Sequence, residues 1–310
     1  MRVSSSTINN LATSSMSNSY KTYMDIMNKI ASNKNFTKVS ENVTDATKVL
    51  KLNDQLAQMD QYQNNIQAAT NEMDLAYDAL GAVVDEISAI NALVIEASNA
   101  STTPDSAKAI ATEIEQRVAT IMDKMNTKYL DNYIFAGTYT QEPAYILDGD
   151  TVKYQGSSEK AGERKLTISQ DTTFTYNFTG EEIFGKQDPT NVDDNGIQND
   201  FFSQMQDLIN TLREDTLDYE RIREKLSNLK SATNNVSQVQ GSVSAHVAKL
   251  DTTKSINEDT ILKLTEDKVD LEEVDITKAA TDLANAQTTL QASYTIGTTI
   301  LGSVSLLDYL

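Results

Sequence analysis

The chain contains a single histidine, His246, so any serine-histidine-aspartate triad would have to be built on that residue. Its neighbours Val243, Val247 and Leu250 recur at helical spacing, and we therefore interpret His246 as a structural residue on the flank of a helix. The sequence has no P-loop and no GxGxxG motif. It predicts no catalytic residue, no cofactor and no enzymatic activity.

Two acidic segments contain side chains of the kind found in metal or acid-base sites. One segment has the oxygen-bearing side chains and the glycine that begin a calcium-binding loop: Asn191, Asp193, Asn195 and Gly196. The position that must supply a bidentate glutamate holds Phe202 instead, so we expect no calcium site. Glu181 and Glu182 are adjacent, and adjacent positions on a strand face opposite sides, so we interpret them as solvated acids. With no cysteine available for thiolate ligands, the sequence predicts no metal site.

Charge and hydropathy exclude several classes of partner. The 310 residues carry a formal net charge of −19, which argues against binding to a phosphate backbone. No window has the length and hydropathy of a membrane span, and the start of the sequence lacks the apolar run of a secretory signal peptide. We therefore expect neither nucleic acid nor membrane as a partner, and any export would use another route.

The last forty residues carry an apolar stripe that needs a partner helix. Apolar or small residues recur there at steps of three and four, with Gln287 filling one gap: Ile276, Ala280, Leu283, Leu290, Tyr294, Gly297, Leu301, Val304 and Leu307. This spacing is close to the 3.5-residue repeat of a coiled-coil seam. Because a single helix cannot bury its own stripe, the segment must pack against another helix of the same or another chain.

The N-terminal segment is the first candidate for that partner. It repeats the same spacing, and we expect the seam to contain Met16, Tyr20, Tyr23, Met27 and Ile30. Residues 1–40 carry a net charge of +4, and residues 271–310 carry −4. We therefore predict a terminal helical assembly domain from residues 1–42 and 268–310. Its candidate interface residues are Met16, Tyr20, Met27, Ile276, Leu283, Leu290, Tyr294, Leu301, Val304 and Leu307.

A longer helical pattern lies inside these ends. From about residue 44 to 98, a seam at alternating steps of four and three runs through Leu52, Leu56, Met59, Gln63, Ile66, Thr70, Met73, Tyr77, Leu80, Val84, Ile87, Asn91 and Val94. A helix of this length would extend roughly 80 Å. Pro104 is placed as the first residue of a returning helix, which predicts an antiparallel hairpin. That helix has an apolar face of Ile114, Val118, Ile121 and Met125. We predict a helical rod domain from residues 43–136 and 197–267.

The segment between these helical regions has a different composition. Residues 137–196 hold seven of the eleven glycines and two of the three prolines. Asp148-Gly149-Asp150 predicts a turn between two strands, and residues 165–169 and 173–178 are further strand candidates. We therefore predict a mainly α protein. Its long antiparallel coiled-coil rod is built from the N- and C-terminal halves, and a small β-rich domain, residues 137–196, is inserted at the tip.

Several motifs give the chain a resemblance to a known family. Residues 271–283 (LEEVDITKAATDL), 290–294 (LQASY) and 305–310 (SLLDYL) resemble the C-terminal signature of the flagellin superfamily, and Met1-Arg-Val-Ser resembles its start. Within that superfamily, residues 133–137 (YIFAG), 153–156 (KYQG) and 179–184 (TGEEIF) resemble the hook-associated branch that forms the hook–filament junction. The chain departs from the family pattern after its first helix, where residues 32–35 (SNKN) and 40–43 (SENV) stand in place of the usual Ser-Gly-Lys-Arg motif and Ser-Asp-Asp-Pro connector.

The resemblance implies a structural adaptor that attaches the filament to the hook and supports motility. It implies an extracellular location on the bacterial flagellum, after export by the flagellar type III apparatus. The implied partners are a hook-side junction protein, flagellin, further copies of the chain in a ring, and an export chaperone that binds the C-terminal helix. Two alternatives stay open: a flagellin filament subunit, and an intracellular coiled-coil scaffold.

Overall fold

The computed structural model describes residues 5–149, 151–156, 162–188, 190–194 and 196–307, and for Ser5, Ile8 and residues 300–307 it describes the backbone alone. The chain divides into two compact units. Unit 1 combines the two ends of the chain, up to Gln58 and from Asp259 onward, and unit 2 comprises Met59–Glu258. Our division into three domains stays a prediction. Among the described residues, none of the helices combines the length and the hydropathy needed to cross a bilayer.

Unit 1 is built from four helical stretches. Helix α1 (Ser5–Ser32) leads through a short 3-10 turn, Val39–Glu41, into the first part of helix α2 (Val43–Ala97). The last part of helix α6 (Tyr219–Glu272) leads directly into helix α7 (Ile276–Leu307). Ala46 and Val49 are buried on α2, and Leu271 is half-buried at the end of α6. The termini therefore belong to one unit, as their complementary stripes predicted.

Unit 2 is organised around a group of helices with a continuous apolar core. Helix α3 (Pro104–Met125) follows α2, and helix α5 (Phe201–Arg213) precedes α6. Thr103 caps α3 by accepting a hydrogen bond from Ser106 N, and Pro104 occupies the first turn, as predicted. The predicted apolar face of α3 is buried along its length: Ile114, Val118, Ile121 and Met125.

The buried stripe of α2 differs from the predicted seam. Five predicted positions are fully buried: Ile66, Met73, Leu80, Ile87 and Val94. Four intervening buried positions lie one residue earlier than predicted: Ala69, Ala76, Val83 and Ile90. Tyr77, which the prediction placed in the seam, is 44% exposed. The physical reason is size, because alanine lets a neighbouring helix approach closely whereas a tyrosine at the same level would hold it away.

The described strands form three antiparallel pairs within unit 2. The first joins β1 (Lys128–Tyr129) to β2 (Asn132–Tyr133) and was not predicted. The second joins β3 (Tyr145–Asp148) to β4 (Thr151–Tyr154), with Gly149 at φ +65 in the predicted turn. The third joins β5 (Lys165–Ser169) to β6 (Thr172–Thr175). A short helix, α4 (Gly180–Phe184), follows them.

The β5–β6 hairpin lies against the sides of helices α2 and α6. Asn65 Nδ2 donates a hydrogen bond to Thr167 O at 2.8 Å, and Asn257 Nδ2 donates one to Ile168 O at 2.9 Å. Arg164 forms a bidentate ion pair with the buried carboxylate of Glu72 on α2. Burial raises the pKa of the Glu72 carboxyl, and Arg164 acts in the opposite direction.

The β-rich segment predicted at the tip of the rod contacts helix α2 near its middle. The turn between α2 and α3 instead faces the α5–α6 connection, where Tyr219 OH donates a hydrogen bond to Thr102 O at 3.2 Å. Helix α3 has 22 residues and α2 has 55, so α3 runs back along only part of its partner. Helix α3 therefore ends beside the middle of α2, where Asn71 Nδ2 lies 3.3 Å from Tyr129 OH.

Candidate assembly surface

Helices α1 and α7 pack antiparallel along a heptad-spaced contact. The least exposed positions of α1 follow steps of four and three: Ala12, Met16, Ser19, Tyr23, Ile26 and Ile30. Those of α7 follow the same steps: Ala279, Leu283, Ala286, Leu290, Ser293 and Gly297. This spacing is that of a coiled-coil seam, and it keeps one stripe of each helix facing the other.

Small side chains bring these two helices close together. Ser19 Oγ and Ser293 Oγ are within hydrogen-bond distance, 2.9 Å apart. Gly297 lies directly against Met16, and a Cβ added at position 297 would stand 2.3 Å from Met16 Sδ. Alanines at positions 12, 279 and 286 are buried in the same contact. The close approach therefore depends on residues that a search for large apolar side chains passes over.

Hydrogen bonds and an ion pair join the segment after α1 to the segment before α7. Asn35 donates hydrogen bonds from its backbone N to Glu272 O at 2.8 Å and from its side chain to Glu273 O at 2.6 Å. Lys34 forms an ion pair with Glu272. Asn33 has φ +54, the left-handed conformation in which glycine and asparagine are the favoured residues. Asparagine therefore suits the backbone conformation that this position requires.

The predicted interface candidates fall into three groups. Met16, Leu283 and Leu290 lie in the α1–α7 contact. The second group remains exposed, with accessible fractions of 51% for Tyr20, 39% for Met27, 51% for Ile276 and 44% for Tyr294. The side chains of Leu301, Val304 and Leu307 lie outside the described part, although their backbone belongs to α7. Placing Tyr20 and Met27 in the intramolecular seam was therefore wrong.

The second group, together with the exposed Met24, defines an apolar surface on the paired helices. On α1, Tyr20, Met24 and Met27 recur at steps of four and three, one stripe away from the contact with α7. On α7, Ile276 and Tyr294 are separated by five helical turns and therefore share a face. We call these five residues the outer stripe. Tyrosine and methionine are enriched at protein interfaces, so a surface of this composition suits assembly.

Sequence reasoning missed half of the residues in the contact. Ala12, Ser19 and Ile26 form a heptad stripe with Met16, and Ala279, Ala286 and Ser293 form one with Leu283. Their signal is present in the sequence, since each set keeps the same spacing as the predicted seam. On α1 it is masked because the neighbouring stripe carries the larger side chains of Tyr20 and Met27.

The residues weighed for acid-base or metal chemistry make structural contacts. His246 is held between Phe174 and Phe178, with ring centroids 5.0 and 5.3 Å away. Burial lowers the pKa of its imidazole, and Lys249 lowers it further. Asp193 accepts a hydrogen bond from Gln204 Nε2 at 3.0 Å and lies 3.6 Å from Lys225 Nζ.

Glu181 and Glu182 lie in the first turn of helix α4, so their assignment to a strand was wrong. Thr179 and Glu182 form a reciprocal capping box there, which explains the helix start. Glu182 therefore stabilises the start of helix α4, where an acidic side chain interacts favourably with the helix dipole.

The three sequence motifs that resemble those of the hook-associated branch meet at one point in unit 2. Phe135 O accepts hydrogen bonds from Tyr154 OH at 3.0 Å and from Gly180 N at 3.1 Å. Tyr154 and Tyr145 pack ring against ring at 5.1 Å, and Gly180 sits beneath both rings. Phe135 itself is fully buried. The motifs at residues 133–137, 153–156 and 179–184 therefore form a single packing unit.

Comparison with known proteins agrees with this arrangement. The family model for the bacterial flagellin N-terminal helical region matches residues 3–140, and that for the C-terminal helical region matches residues 226–310. Flagellar hook-associated protein 3 of Escherichia coli is 24% identical over 299 residues, covering 93% of each chain.

Two solved structures share the fold. A Vibrio parahaemolyticus protein described as a flagellar hook-associated protein covers 75% of this chain and 100% of its own, with a TM-score of 0.66 and 19% identity. The flagellar junction protein FlgL of Legionella pneumophila covers 73% of this chain and 100% of its own, with a TM-score of 0.55 and 16% identity. With both terminal helical regions matched and paired in one unit, the chain belongs to the flagellin family.

Proposed function

We propose that the chain is a structural adaptor subunit at the hook–filament junction of the bacterial flagellum. The observation that carries the proposal is the pairing of α1 with α7, which leaves the outer stripe (Tyr20, Met24, Met27, Ile276 and Tyr294) exposed. Paired termini with an uncovered apolar surface suit a subunit whose ends are completed by neighbours. The likeness to proteins named as hook-associated or junction proteins supports the junction rather than the filament.

The partners follow from that place in the flagellum. The outer stripe would contact other axial subunits, including further copies of this chain in a ring, a hook-side junction protein and flagellin. A chaperone would cover the C-terminal helix before export through the flagellar type III apparatus. A structural rather than enzymatic role agrees with the packing of His246 between two phenylalanine rings.

Motility of a strain lacking the chromosomal gene tests the assembly role. Complementation with Tyr20→Asp combined with Tyr294→Asp should leave the cells non-swimming and shed flagellin into the medium. Because both side chains are exposed, the isolated variant should keep its helical circular dichroism. Leu147→Asp is the matched control, since Leu147 is 61% exposed on β3 and should tolerate the charge. Normal swimming of the double variant would show that the outer stripe is not part of the assembly surface.

Electron microscopy under salting-out conditions separates the adaptor from a flagellin filament subunit. The purified chain should remain monomeric or form short aggregates until hook ends are added. Long uniform filaments of the chain alone would assign it to the filament instead.

A further inference from the structure

Unit 1 carries a second exposed apolar surface, on the first part of α2 and the last part of α6. On α2, Val43 and Leu50 are seven residues apart and are 61% and 56% exposed. On α6, Leu262 and Val269 are also seven residues apart and are 62% and 39% exposed. Residues at this spacing lie on nearly the same face of a helix. We call these four residues the second stripe.

The second stripe faces away from a groove between the same two helices. The groove is lined by residues that include Lys48 on α2 and Asp267 on α6. Leu50 follows Lys48 by two positions, and Val269 follows Asp267 by two positions. Two positions correspond to about 200° around a helix, which is nearly the opposite side. The α2 and α6 parts of the second stripe therefore share one side of the helix pair, opposite the groove.

Acidic residues flank the α6 part of the second stripe. Positions three and four residues apart are neighbours on a helix surface. Four acids stand at these distances from Leu262 or Val269: Asp259, Glu266, Glu272 and Glu273. Glu272 forms an ion pair with Lys34, whereas the other three carboxylates pair with no lysine or arginine in the described part of the chain. Two copies of this stripe would therefore repel each other, and a partner must bring basic side chains.

The N-terminal segment of a second copy has the matching properties. Residues 1–40 carry a net charge of +4, and the α1 members of the outer stripe expose large apolar side chains at steps of four and three. Lys21 is exposed one turn before Met24, at the edge of that stripe. The same opposite charges already meet within one copy, in the ion pair between Lys34 and Glu272. Apolar stripe and charge therefore both complement the second stripe.

We propose that the second stripe of one copy binds the α1 part of the outer stripe of a neighbouring copy. The contact joins two different surfaces of the chain, so each copy has one surface of each kind to offer. Such a heterologous contact repeats from copy to copy and closes into a ring where the rotation allows it. The inference rests on the proposed function, because it assigns the outer stripe one of its partner surfaces.

Because the chain has no cysteine, introduced thiols test the contact without background. A chain carrying both Met24→Cys and Leu262→Cys replaces the wild-type chain in cells, and the isolated flagella are treated with a short bismaleimide reagent that joins two nearby thiols. The product should be a ladder of covalent multimers, because each copy is linked to two neighbours. Either substitution alone should leave the chain monomeric. A monomeric double variant in flagella that contain it would overturn the proposal.

Asp267→Cys combined with Met24→Cys is the matched control. Asp267 is exposed on the same helix, five residues after Leu262, but it lies on the groove side. This pair should give no ladder, and a ladder equal to that of the first pair would overturn the proposal. Replacing Leu262 by the photoreactive residue p-benzoylphenylalanine identifies the partner independently. Its cross-link should lead to residues 1–40 of another copy, whereas a cross-link to flagellin or to a hook-side protein would overturn the proposal.

Charge reversal tests the electrostatic part of the contact in the two-cysteine chain. Glu266→Lys should cause loss of the ladder, because it places a positive charge opposite the basic segment, and adding Lys21→Glu should restore the ladder. Both residues are exposed, so the helical circular dichroism of the variants should not change. A combined variant that loses more of the ladder than either single reversal would overturn the proposal.

Immunoblotting of isolated flagella separates this inference from the proposed function. Absence of the wild-type chain from the flagella would overturn the junction role and the contact with it. Presence of the two-cysteine chain without a ladder would overturn the contact alone and leave the junction role standing.

Discussion

Met16 and Gly297 pack against each other across the α1–α7 contact, and the sulfur of Met16 occupies the space that a side chain at position 297 would need. A Cβ built on Gly297 would stand 2.3 Å from Met16 Sδ and 3.3 Å from Met16 Cγ. Real Cβ atoms do not approach a neighbour as closely as the first of these distances, so a substitution at position 297 must displace Met16.

Gly297→Val should therefore destabilise the paired termini by about 1–3 kcal/mol through overpacking. The double variant Gly297→Val with Met16→Ala should recover part of that loss, because it frees the space. Limited proteolysis of α1, with circular dichroism at rising temperature, measures the effect. Failure of the double variant to recover would show that helix crowding by valine, and not Met16, is responsible.

Gly241 in α6 has open space for a side chain, unlike Gly297. A Cβ at that position would meet nothing within 4 Å, and the residue lies in the middle of a long helix. Gly241→Ala should stabilise the chain by about 0.5–1 kcal/mol, since alanine has the higher helix propensity. A decrease in the unfolding temperature of the isolated chain would contradict the open space around Gly241.

Gly180 leaves space for the rings of Tyr145 and Tyr154 where the three motifs meet. A Cβ there would lie 2.5 Å from the Tyr145 hydroxyl and 2.6 Å from Tyr154 Cε2. Gly180→Ala should cost about 1–3 kcal/mol and loosen the β3–β4 hairpin. Near-ultraviolet circular dichroism of the buried tyrosines reports this change. An unchanged tyrosine signal would show that α4 can shift to accommodate the methyl group.

The stability of unit 2 should fall on mild acidification because of His246. Burial and Lys249 lower the pKa of His246 below its ordinary value of 6.5, so the unfolded chain binds a proton more readily than the folded chain. The contribution of neutral His246 to the free energy of unfolding is complete above pH 6.5. It is lost progressively as the pH falls towards the lowered pKa. His246→Phe should flatten this part of the profile in urea unfolding at several pH values.

Glu72 separates the histidine effect from general acid denaturation. Its pKa is raised above 4.5, so the folded chain binds this proton more readily and gains relative stability as the pH falls through that region. A loss of stability as the pH falls below 6.5 therefore has the sign expected of His246 and the opposite sign to that of Glu72. If His246→Phe kept the same slope there, another group would have to be responsible.

Substitutions at Asn33 test whether the end of α1 requires a residue that tolerates the left-handed conformation. Asn33→Gly should be close to neutral, because both residues tolerate φ +54. Asn33→Val should cost roughly 1–2 kcal/mol, since a β-branched residue is strained in the left-handed region. Thermal unfolding of the two variants side by side measures the difference. Equal stability would mean that the connector adopts another path in solution.

The sequence by itself determined the helical class, the nesting of the two ends around the rest, and several local boundaries. Pro104 and its Thr103 cap fixed the start of α3, and Gly149 fixed the β3–β4 turn. These features depend on local backbone chemistry and on the period of the hydrophobic pattern, which a single segment already contains.

Only the tertiary structure decided which of two neighbouring stripes is buried. On α1, the stripe with Ser19 and the stripe with Tyr20 have the same period, so spacing could not choose between them. Ser19 faces Ser293 and Met16 faces Gly297, because small residues on both helices allow the close approach that large side chains would prevent. That choice depends on the volumes of two segments 274 residues apart, and it is what leaves Tyr20 and Met27 on the surface.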